Sequence, residues 1–495
     1  MERSSGILLH ITSLPGKYGI GTMGKEAYRF VDFLVASGQK LWQILPLGHT
    51  GYGDSPYQCF SAFAGNPLLI DLENLVDQGL LTPGELPDEN EFPADNVDYG
   101  KVFHYKYDLL EKAYNRFKEK EEEHPLKKQF ATFLSGNNWW LDDYAFFMAL
   151  KIHHNGKPWP EWDEQIKLRE PDALNRYHQH LQESINFYRF LQYLFYHQWL
   201  ELKSYANINN IKIIGDLPIY VAFDSADAWA NPENFDFDKN MNPKTVAGVP
   251  PDYFSSTGQL WGNPIYNWQY QRENGFKWWV DRIRANFLLY DILRIDHFRG
   301  LAAYWSIPYG EETAINGQWI DTPGREMLQT VYDHLGEKPI IAENLGVITP
   351  DVEELREDFG MPGMKILQFA FDSGEENNFI PHTYDKNSVV YTGTHDNNTT
   401  VGWFKHSPEE DKQRMRDYFC LDENDPAWSF IRLAWSTVSH FAIAPMQDVL
   451  RLDEHARMNF PGKSPGYWKW RYTGDMLTDA HAEDLLKITK VYGRV

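Results

Sequence analysis

The stretch ILRID, at residues 292–296, is a short hydrophobic run that ends on a carboxylate, and this pattern occurs twice more. The other two runs are PIIAE at residues 339–343 and VVYTGTHD at residues 389–396. A buried strand that ends in an acid holds this acid on a rigid support at the edge of a sheet. If a parallel sheet closes into a barrel, the strand ends meet at one face, where the catalytic residues of such barrels lie. Carboxylates that converge in this way can break and re-form a glycosidic bond.

Eight hydrophobic segments have the pattern of parallel strands, because helical segments alternate with them along the chain. Several are nearly continuous apolar runs, which are typical of strands covered on both faces. The pattern predicts an α/β fold, a (β/α)₈ TIM barrel. The predicted strands are residues 6–11, 41–46, 211–216, 292–296, 339–343, 364–369, 389–394 and 441–446.

Two connections between predicted strands are much longer than one crossover helix requires. Residues 47–210 contain long amphipathic stretches and are predicted to form inserted subdomains between the second and third strands. Residues 217–290 are rich in Pro, Gly, Asn and Trp, and we expect an inserted loop region or subdomain over the carboxyl face, where functional residues concentrate. We therefore expect residues 1–495 to form a single catalytic barrel with these two insertions.

Charge and composition restrict the class of ligand. The chain of 495 residues has 47 Lys and Arg against 70 Asp and Glu, a net charge of −23. This charge argues against nucleic acid and anionic membranes as partners, and it is compatible with a neutral ligand such as a sugar. Aromatic residues make up 15% of the chain, and their flat rings can carry the C–H faces of sugars. We find no apolar run of about 18 residues and predict no membrane span.

Cysteine usage and the first residues indicate the compartment. Cys59 and Cys420 belong to no C-x-x-C pair, which argues against a zinc site or redox motif and fits a reducing compartment. The first residues contain neither a signal-peptide core nor a transit-peptide bias. Together these features predict a cytoplasmic protein.

Asp296 is the first candidate catalytic residue. In a strand, Arg294 and Asp296 project to the same side, because side chains alternate with period two. A guanidinium beside a carboxylate lowers the pKa of the acid and keeps it ionised. An ionised, oriented aspartate suits a nucleophile that forms a glycosyl intermediate. The alternative interpretation is a structural ion pair at a strand end.

Glu343 and Asp396 are the other two candidates. A general acid must hold its proton near neutral pH, and a strand-end glutamate facing an aromatic-lined pocket is partly desolvated in the required way. A loop or helix-capping role is the alternative for Glu343. Asp396 could accept hydrogen bonds from two sugar hydroxyls, and His395 could donate one.

Three further segments suit a sugar cleft. Residues 51–58 (GYGDSPYQ) form a turn-rich loop with two Tyr, and residues 214–220 (IGDLPIY) end the third predicted strand in Asp216. Residues 248–264 offer Tyr253, Phe254 and Trp261 on a loop framed by Gly and Pro, and this loop is the candidate cover that excludes water. Each segment alone could be an ordinary turn.

Seven motifs now stand in order along the whole chain, and together they resemble the 4-α-glucanotransferases. These enzymes are also called amylomaltases or disproportionating enzymes and belong to the α-amylase clan. The motifs are GxGDSPYQ, GDLPIYV, GVPPDYFSxxGQxWGNP, RIDHFRG, AENLG, GTHDN and RMNxPG. The resemblance implies a barrel with insertions and without the C-terminal β-domain of many amylases.

The resemblance also implies the reaction and its residues. It implies transfer of segments of 1,4-α-glucans, starch or maltooligosaccharides, to the 4-hydroxyl of an acceptor through a retaining double displacement, and we predict no cofactor and no metal. Asp296 would be the nucleophile, Glu343 the acid/base and Asp396 the stabiliser of the distorted sugar. The expected substrate-binding residues are Asp54, Ser55, Tyr57, Asp216, Gln259, Trp261, Arg294, His395 and Asn459, with Tyr57 stacking on the sugar.

Three other functions compete with this interpretation. The first is plain hydrolysis of α-glucans on the same barrel. The second is a non-catalytic glucan-binding protein, which would require that a catalytic acid be missing. The third is a metal-dependent barrel hydrolase, since His10, His297 and His395 lie at or near predicted strand ends; no H-x-H pattern supports it.

Overall fold

A computed structural model describes residues 2–51, 53–88, 91–251, 255–372, 377–463 and 466–495 of the chain. None of the helices in these ranges combines the length and the apolar character needed to cross a membrane. The strands are β1 (Ser4–Leu8), β2 (Leu41–Gln43), β3 (Lys212–Pro218), β4 (Thr245–Val249), β5 (Gln259–Pro264), β6 (Ile292–Asp296), β7 (Ala303–Pro308), β8 (Gln318–Asp321), β9 (Ile340–Ala342), β10 (Gly363–Ile366), β11 (Ser388–Tyr391) and β12 (Phe441–Pro445).

Helices fill the connections between the barrel strands, and six of them, α2 to α7, follow one another between β2 and β3. They are α1 (Lys25–Ala36), α2 (Leu72–Asp77), α3 (Tyr99–Glu119), α4 (Pro125–His153), α5 (Glu164–Lys167), α6 (Pro171–His180), α7 (Gln182–Ile208), α8 (Ala226–Ala230), α9 (Trp268–Glu273), α10 (Lys277–Leu289), α11 (Gly324–Leu335), α12 (Pro350–Asp358), α13 (Thr400–His406), α14 (Glu409–Tyr418), α15 (Pro426–Ser436), α16 (Met446–Val449) and α17 (Asp479–Val491).

Parallel strands close into a barrel in the order β1-β12-β11-β10-β9-β6-β3-β2. The predicted (β/α)₈ barrel is therefore confirmed, and each of the eight predicted strands overlaps one barrel strand. The observed strands are mostly shorter than predicted at their carboxyl ends. The second strand, for example, ends at Gln43 instead of reaching Pro46, and Pro46 has no N–H to donate to a ladder.

Barrel strand ends carry the candidate acids at the same face. Asp296 is the last residue of β6, and Glu343 directly follows β9. Asp396 lies farther on, in the loop that follows β11. Because all barrel strands run in one direction, these positions share the carboxyl face, where the loops of such barrels form active sites.

The connection from β2 to β3 supplies a helical layer that holds the loop after β2. Gln192 of α7 donates to the carbonyl of Gly65 at 2.9 Å and accepts from its N–H at 2.8 Å. His49 Nδ1 lies 2.7 Å from the Tyr144 hydroxyl of α4. This loop is therefore fixed at both of its ends, at Gly65 and at His49.

A second, antiparallel sheet of order β5-β4-β7-β8 lies outside the barrel. Its first two strands come from the β3–β6 connection, and its last two come from the β6–β9 connection. This sheet was not predicted, because the pairing of β4 with β7 joins residues of two different connections and leaves no local signal in the sequence. The sheet carries Gln259 and Trp261 on β5.

Candidate active site

Asp296 and Glu343 lie on neighbouring strands at the same level of the barrel. The parallel register pairs Ile295 with Ala342, so the next residue on each chain is one of the two acids. Neighbouring strands are about 4.8 Å apart. The side chain of Asp296 is 29% exposed, whereas Glu343 as a whole is 9% exposed. Both carboxyls therefore line one cleft, with Glu343 the deeper of the two.

A buried guanidinium orients Asp296. Arg294 Nη2 lies 3.0 Å from Asp296 Oδ1, and Arg294 Nη1 lies 2.6 Å from Asp216 Oδ2. The Arg294 side chain is 4% exposed and that of Asp216 is fully buried. The hydroxyl of Tyr57 donates to the same Asp216 oxygen at 2.9 Å. Because charge-assisted bonds in a buried setting are strong and directional, this chain of contacts fixes the position of Asp296.

Two backbone amides orient Glu343. The N–H of His297 donates to Oε2 and the N–H of Leu345 donates to Oε1, each at 2.7 Å. His297 has the left-handed backbone conformation, with φ of 52°, which is uncommon for a residue with a side chain. This turn after β6 directs the His297 amide at the acid of the neighbouring strand.

Burial raises the pKa of both acids. The pKa of Asp296 lies well above its usual range because of burial and because of the neighbouring carboxylates Asp216, Glu343 and Asp396, which outweigh Arg294. Burial also raises the pKa of Glu343, against the opposing effects of Arg294 and the two amides. The sequence-based expectation that Arg294 lowers the pKa of Asp296 is therefore wrong for the net direction, because it omitted burial, the largest cause, and the other carboxylates. The two acids titrate as a pair and retain a proton to higher pH than isolated acids do.

Asp396 is held by residues from the end of the chain. Asn459 Nδ2 donates to Asp396 Oδ1 at 2.6 Å, and the Asn459 N–H donates to the His395 carbonyl at 3.1 Å. His395 Nε2 lies 3.5 Å from Asp396 Oδ2. Arg457 donates to the backbone carbonyls of Asp396 and Asn459, each at 2.6 Å. Burial lowers the pKa of His395, so its imidazole is neutral at pH 7.

Aromatic rings stand beside these acids. The rings of Tyr57 and His395 stack with centroids 5.3 Å apart, and Trp468 contacts both at 5.8 and 5.9 Å. On the Glu343 side, the ring of Trp261 packs edge-on against His297 at 4.8 Å. Trp261 Nε1 also donates to Gln259 Oε1 at 3.1 Å. These rings give the cleft apolar surface next to its charged groups.

Two predicted residues, Asp54 and Ser55, support the loop that carries Tyr57. Ser55 Oγ accepts from the Tyr57 N–H at 3.3 Å. Asp54 has a left-handed backbone, with φ of 61°, and lines a small pocket with His10 and Trp468. Within the described residues, no hydrogen bond or ion pair joins Asp54 or Ser55 to the three carboxylates. Tyr52, Tyr253 and Phe254, which the sequence analysis placed in the cleft, lie outside the described residues.

Three residues that contact the predicted site were not among the expected sugar-site residues, although His297 had been named for the metal alternative. Arg457 and His297 lie inside the RMNxPG and RIDHFRG motifs, so the motifs already contained the signal. Trp468 lies in none of the seven motifs, and only its contacts with Tyr57 and His395 show that it belongs to the site.

The metal-site alternative finds no support in the geometry. In the part of the chain that the structure describes, no group of three His, Cys, Asp or Glu side chains is placed to hold a metal ion. His395 instead packs against Tyr57. His10 lies near His395, and burial together with the charge of His395 lowers the pKa of His10 to about 3.

Comparison with known proteins decides the family. A family model described as 4-alpha-glucanotransferase matches residues 9–478. The chain belongs to this 4-alpha-glucanotransferase family. The resemblance predicted from the seven motifs is confirmed.

Relatives of this family match over the full length. A 4-alpha-glucanotransferase of Synechocystis sp. is 50% identical over 497 residues, which cover 100% of this chain and 98% of that protein. One of Clostridium butyricum is 49% identical and covers 98% of this chain and 100% of the relative. Among solved structures, the amylomaltase of Streptococcus agalactiae in complex with acarbose superposes with a TM-score of 0.95 at 45% identity, covering 100% of both chains.

Proposed function

We propose that the protein is a 4-α-glucanotransferase that moves segments of 1,4-α-glucan to the 4-hydroxyl of an acceptor sugar by a retaining double displacement. One observation carries the proposal: a strand-end aspartate paired with a buried guanidinium stands beside a buried glutamate on the next strand. Retaining enzymes need their two carboxyls about 5–5.5 Å apart, whereas inverting enzymes need roughly 6.5–9.5 Å. Adjacent strands at one level favour the shorter separation.

In the first step, Asp296 attacks the anomeric carbon while Glu343 protonates the leaving glycosidic oxygen. The acid pair must then hold one proton and one negative charge. Arg294 contacts Asp296 directly and so stabilises the charge there, whereas the bonding partners of Glu343 are two backbone amides. Burial raises the pKa of both acids, and the proposal places the shared proton on Glu343, as a general acid requires, because the full charge of Arg294 lies beside Asp296.

In the second step, Glu343 accepts the proton of the acceptor's 4-hydroxyl as that oxygen attacks the anomeric carbon and releases Asp296. Glu343 has by then become the anion, and the two amides that donate to it stabilise this form. The same residue serves as acid and then as base, so the configuration at the anomeric carbon is retained.

Asp396, His395 and Tyr57 are the proposed holders of the sugar at the cleaved bond. Asn459 occupies one oxygen of Asp396, which leaves Oδ2 to accept from a sugar hydroxyl. His395 covers one face of the Tyr57 ring, so a sugar would stack on the other face. Because Tyr57 is also bound to Asp216, the sugar platform and the nucleophile belong to one connected set of contacts.

Transfer requires that the acceptor sugar outcompete water in the second step. Correct positioning of two reactants can supply about 7–11 kcal/mol, and exclusion of water removes the competitor. Trp261 and the described part of residues 248–264, which leaves out residues 252–254, are the proposed cover. This role is supported by the contact of Trp261 with His297, whose amide donates to Glu343.

Incubation with maltotriose tests the proposal. A transferase yields glucose together with oligomers longer than the substrate, with little net gain of reducing ends. A hydrolase yields a steady gain of reducing ends without longer products, and this result would overturn the proposal in favour of the hydrolase. A non-catalytic glucan-binding protein would leave maltotriose unchanged.

We also propose that residues 1–495 act as one catalytic body in which residues 47–210 and 217–290 are insertions. Tyr57 and Trp261 come from these insertions, so the barrel alone would lack both rings. The proposed location is the cytoplasm, since Cys59 and Cys420 are both free thiols, as a reducing compartment favours. Recovery of the activity in the cytosolic fraction of the producing cells would test the location.

A further inference from the structure

A second cleft lies beside the active site, between α4, the α8 region and the start of α10. It encloses about 710 Å³, including the part that is open to solvent. Its lining combines large rings with acids and amides, among them Trp139, Trp278, Phe63, Glu233, Asn231 and Asp227. This mixture differs from the wholly apolar lining expected of a packing defect.

The rings of this cleft form an accessible platform. Trp139 is 49% exposed although it lies on a helix that packs against the core. Its ring meets Phe63 edge-on at 4.9 Å, and Phe63 in turn meets Trp278 at 6.4 Å. An indole held in this way offers a flat face at little cost in conformational freedom, which suits the C–H face of a sugar ring.

The polar groups around the platform can bind hydroxyls. Asp227 is buried and already accepts from the Ala62 N–H at 2.8 Å and from Trp278 Nε1 at 3.3 Å. Asp227 therefore holds the Trp278 ring in place at the floor of the cleft. Glu233 and Asn231 differ from it: among the described residues, neither side chain has a hydrogen bond or ion pair. A free carboxylate accepts hydrogen bonds, and a free amide both accepts and donates them.

The chemistry of the lining restricts the class of ligand. The lining holds Asp143, Asp227, Glu233 and Asp281 against one cation, Lys277, which is paired with Asp281, so the charge of the cleft disfavours an anion. In the ranges that the structure describes, no three acidic, His or Cys side chains are arranged to hold a metal ion. A ring platform with acceptors and an amide at its edge fits a neutral molecule that is rich in hydroxyls.

The cleft is connected to the active site through the loop after β2. Phe63 and Ser61 line the cleft, and both also line the cavity behind Tyr57 and Asp216. Phe63 lies six positions after Tyr57, so their Cα atoms can be no more than about 22 Å apart. A separation of this size is within the span of a long glucan chain.

We propose that this cleft is a second binding site for α-1,4-glucan, in which Trp139 carries a glucose ring and Glu233 and Asn231 bind its hydroxyls. This inference deepens the proposed function and rests on it for the identity of the ligand. The site holds a distant part of a long glucan chain while another part is cut, so it matters for long substrates and not for short ones.

Calorimetric titration with maltoheptaose tests the binding. The Asp296→Asn background prevents turnover, and we expect two binding sites in it. Adding Trp139→Ala should leave one site, whereas Trp139→Phe should keep both. Ile152→Ala is the matched control, since Ile152 is 53% exposed on the same helix, and it should keep both. A single site in the background variant, or two sites after Trp139→Ala, would overturn the proposal.

Kinetics of the otherwise native enzyme give an independent readout. With Trp139→Ala we expect kcat/KM on maltotriose within two-fold of the native value, and a five- to ten-fold higher KM for long-chain amylose with unchanged kcat. Should Trp139→Ala fold poorly, Glu233→Gln, a change at an exposed residue, should raise the same KM. Equal losses on both substrates, or none, would refute the second site. Failure of the proposed function would appear separately, as a native enzyme that makes no longer oligomers from maltotriose.

Discussion

Replacement of Asp216 by Asn would separate the roles of the buried charges beneath the nucleophile. Arg294 now lies between two carboxylates, at 2.6 Å from Asp216 and 3.0 Å from Asp296. The substitution removes one negative charge and leaves the shape of the side chain nearly unchanged. Arg294 would then interact with Asp296 as its remaining ion-pair partner among the described residues.

The effect on stability follows from burial. Both partners are almost fully buried, and removing one partner of a buried pair costs about 3–5 kcal/mol. Arg294 keeps its ion pair with Asp296, and an asparagine at position 216 can still accept a hydrogen bond from the Tyr57 hydroxyl. We therefore expect a loss near the lower end of this range, about 3 kcal/mol in the free energy of unfolding. Urea denaturation measures this loss.

The effect on the pH profile has a definite sign. The charge of Asp216 raises the pKa of both Asp296 and Glu343, so its removal lowers both. The alkaline limb of kcat/KM, which reports protonated Glu343 in the free enzyme, should move to lower pH. At its optimum the variant should lose about 10- to 100-fold in kcat/KM, or about 1.4–2.7 kcal/mol, because Asp296 is less firmly oriented.

Asp224→Asn is the matched control, because Asp224 forms an ion pair with Lys151 of α4 that ties the helical layer to the loop after β3. It should lower stability and leave the pH profile of kcat/KM unchanged. The reasoning would be refuted if Asp216→Asn left the alkaline limb in place or moved it to higher pH, since either result would mean that Asp216 does not influence the proton on the acid pair.

Three more outcomes are expected. Asp296→Asn should lower the rate of chain transfer by about 10⁴-fold or more, because the nucleophile is lost, while maltooligosaccharide binding survives. Chromatography of the products measures the transfer, and full activity would contradict the role of Asp296. Trp261→Ala should raise glucose release relative to transfer from maltotriose, and an unchanged product ratio would show that Trp261 is not the water barrier. Glu343→Gln removes one of the two oxygens that accept from the His297 and Leu345 amides, and this loss is the same at every pH. The change in the free energy of unfolding should therefore be about 1 kcal/mol more favourable at pH 8 than at pH 4. The sign follows from linkage: a carboxyl whose pKa is raised on folding contributes stability below its unfolded pKa, about 4.3, and loses it as pH rises through its folded pKa. Equal effects at both pH values would contradict the raised pKa.

The barrel and the three acids were predictable because their signals are local. Hydrophobic runs of strand length, broken by turn residues and followed by acids, mark β6, β9 and β11 without reference to the rest of the chain. The register of β6 and β9 then places Asp296 beside Glu343, as the closed barrel requires. The motifs added most of the residues that contact the acids, because each motif is continuous in sequence.

Contacts between distant residues depended on the tertiary structure. Asp216 and Arg294 are 78 positions apart and meet only because β3 and β6 are neighbours in the barrel. Trp468 reaches Tyr57 and His395 from a segment without a motif, and the second sheet joins two separate loops. The net direction of the Asp296 pKa also depended on the tertiary structure, because burial and three carboxylates from other strands and loops outweigh the arginine two positions away. Periodicity and motif order along the chain thus determine the strands and place the candidate acids at one face of the barrel, whereas the electrostatic state of these acids is a sum over neighbours in space.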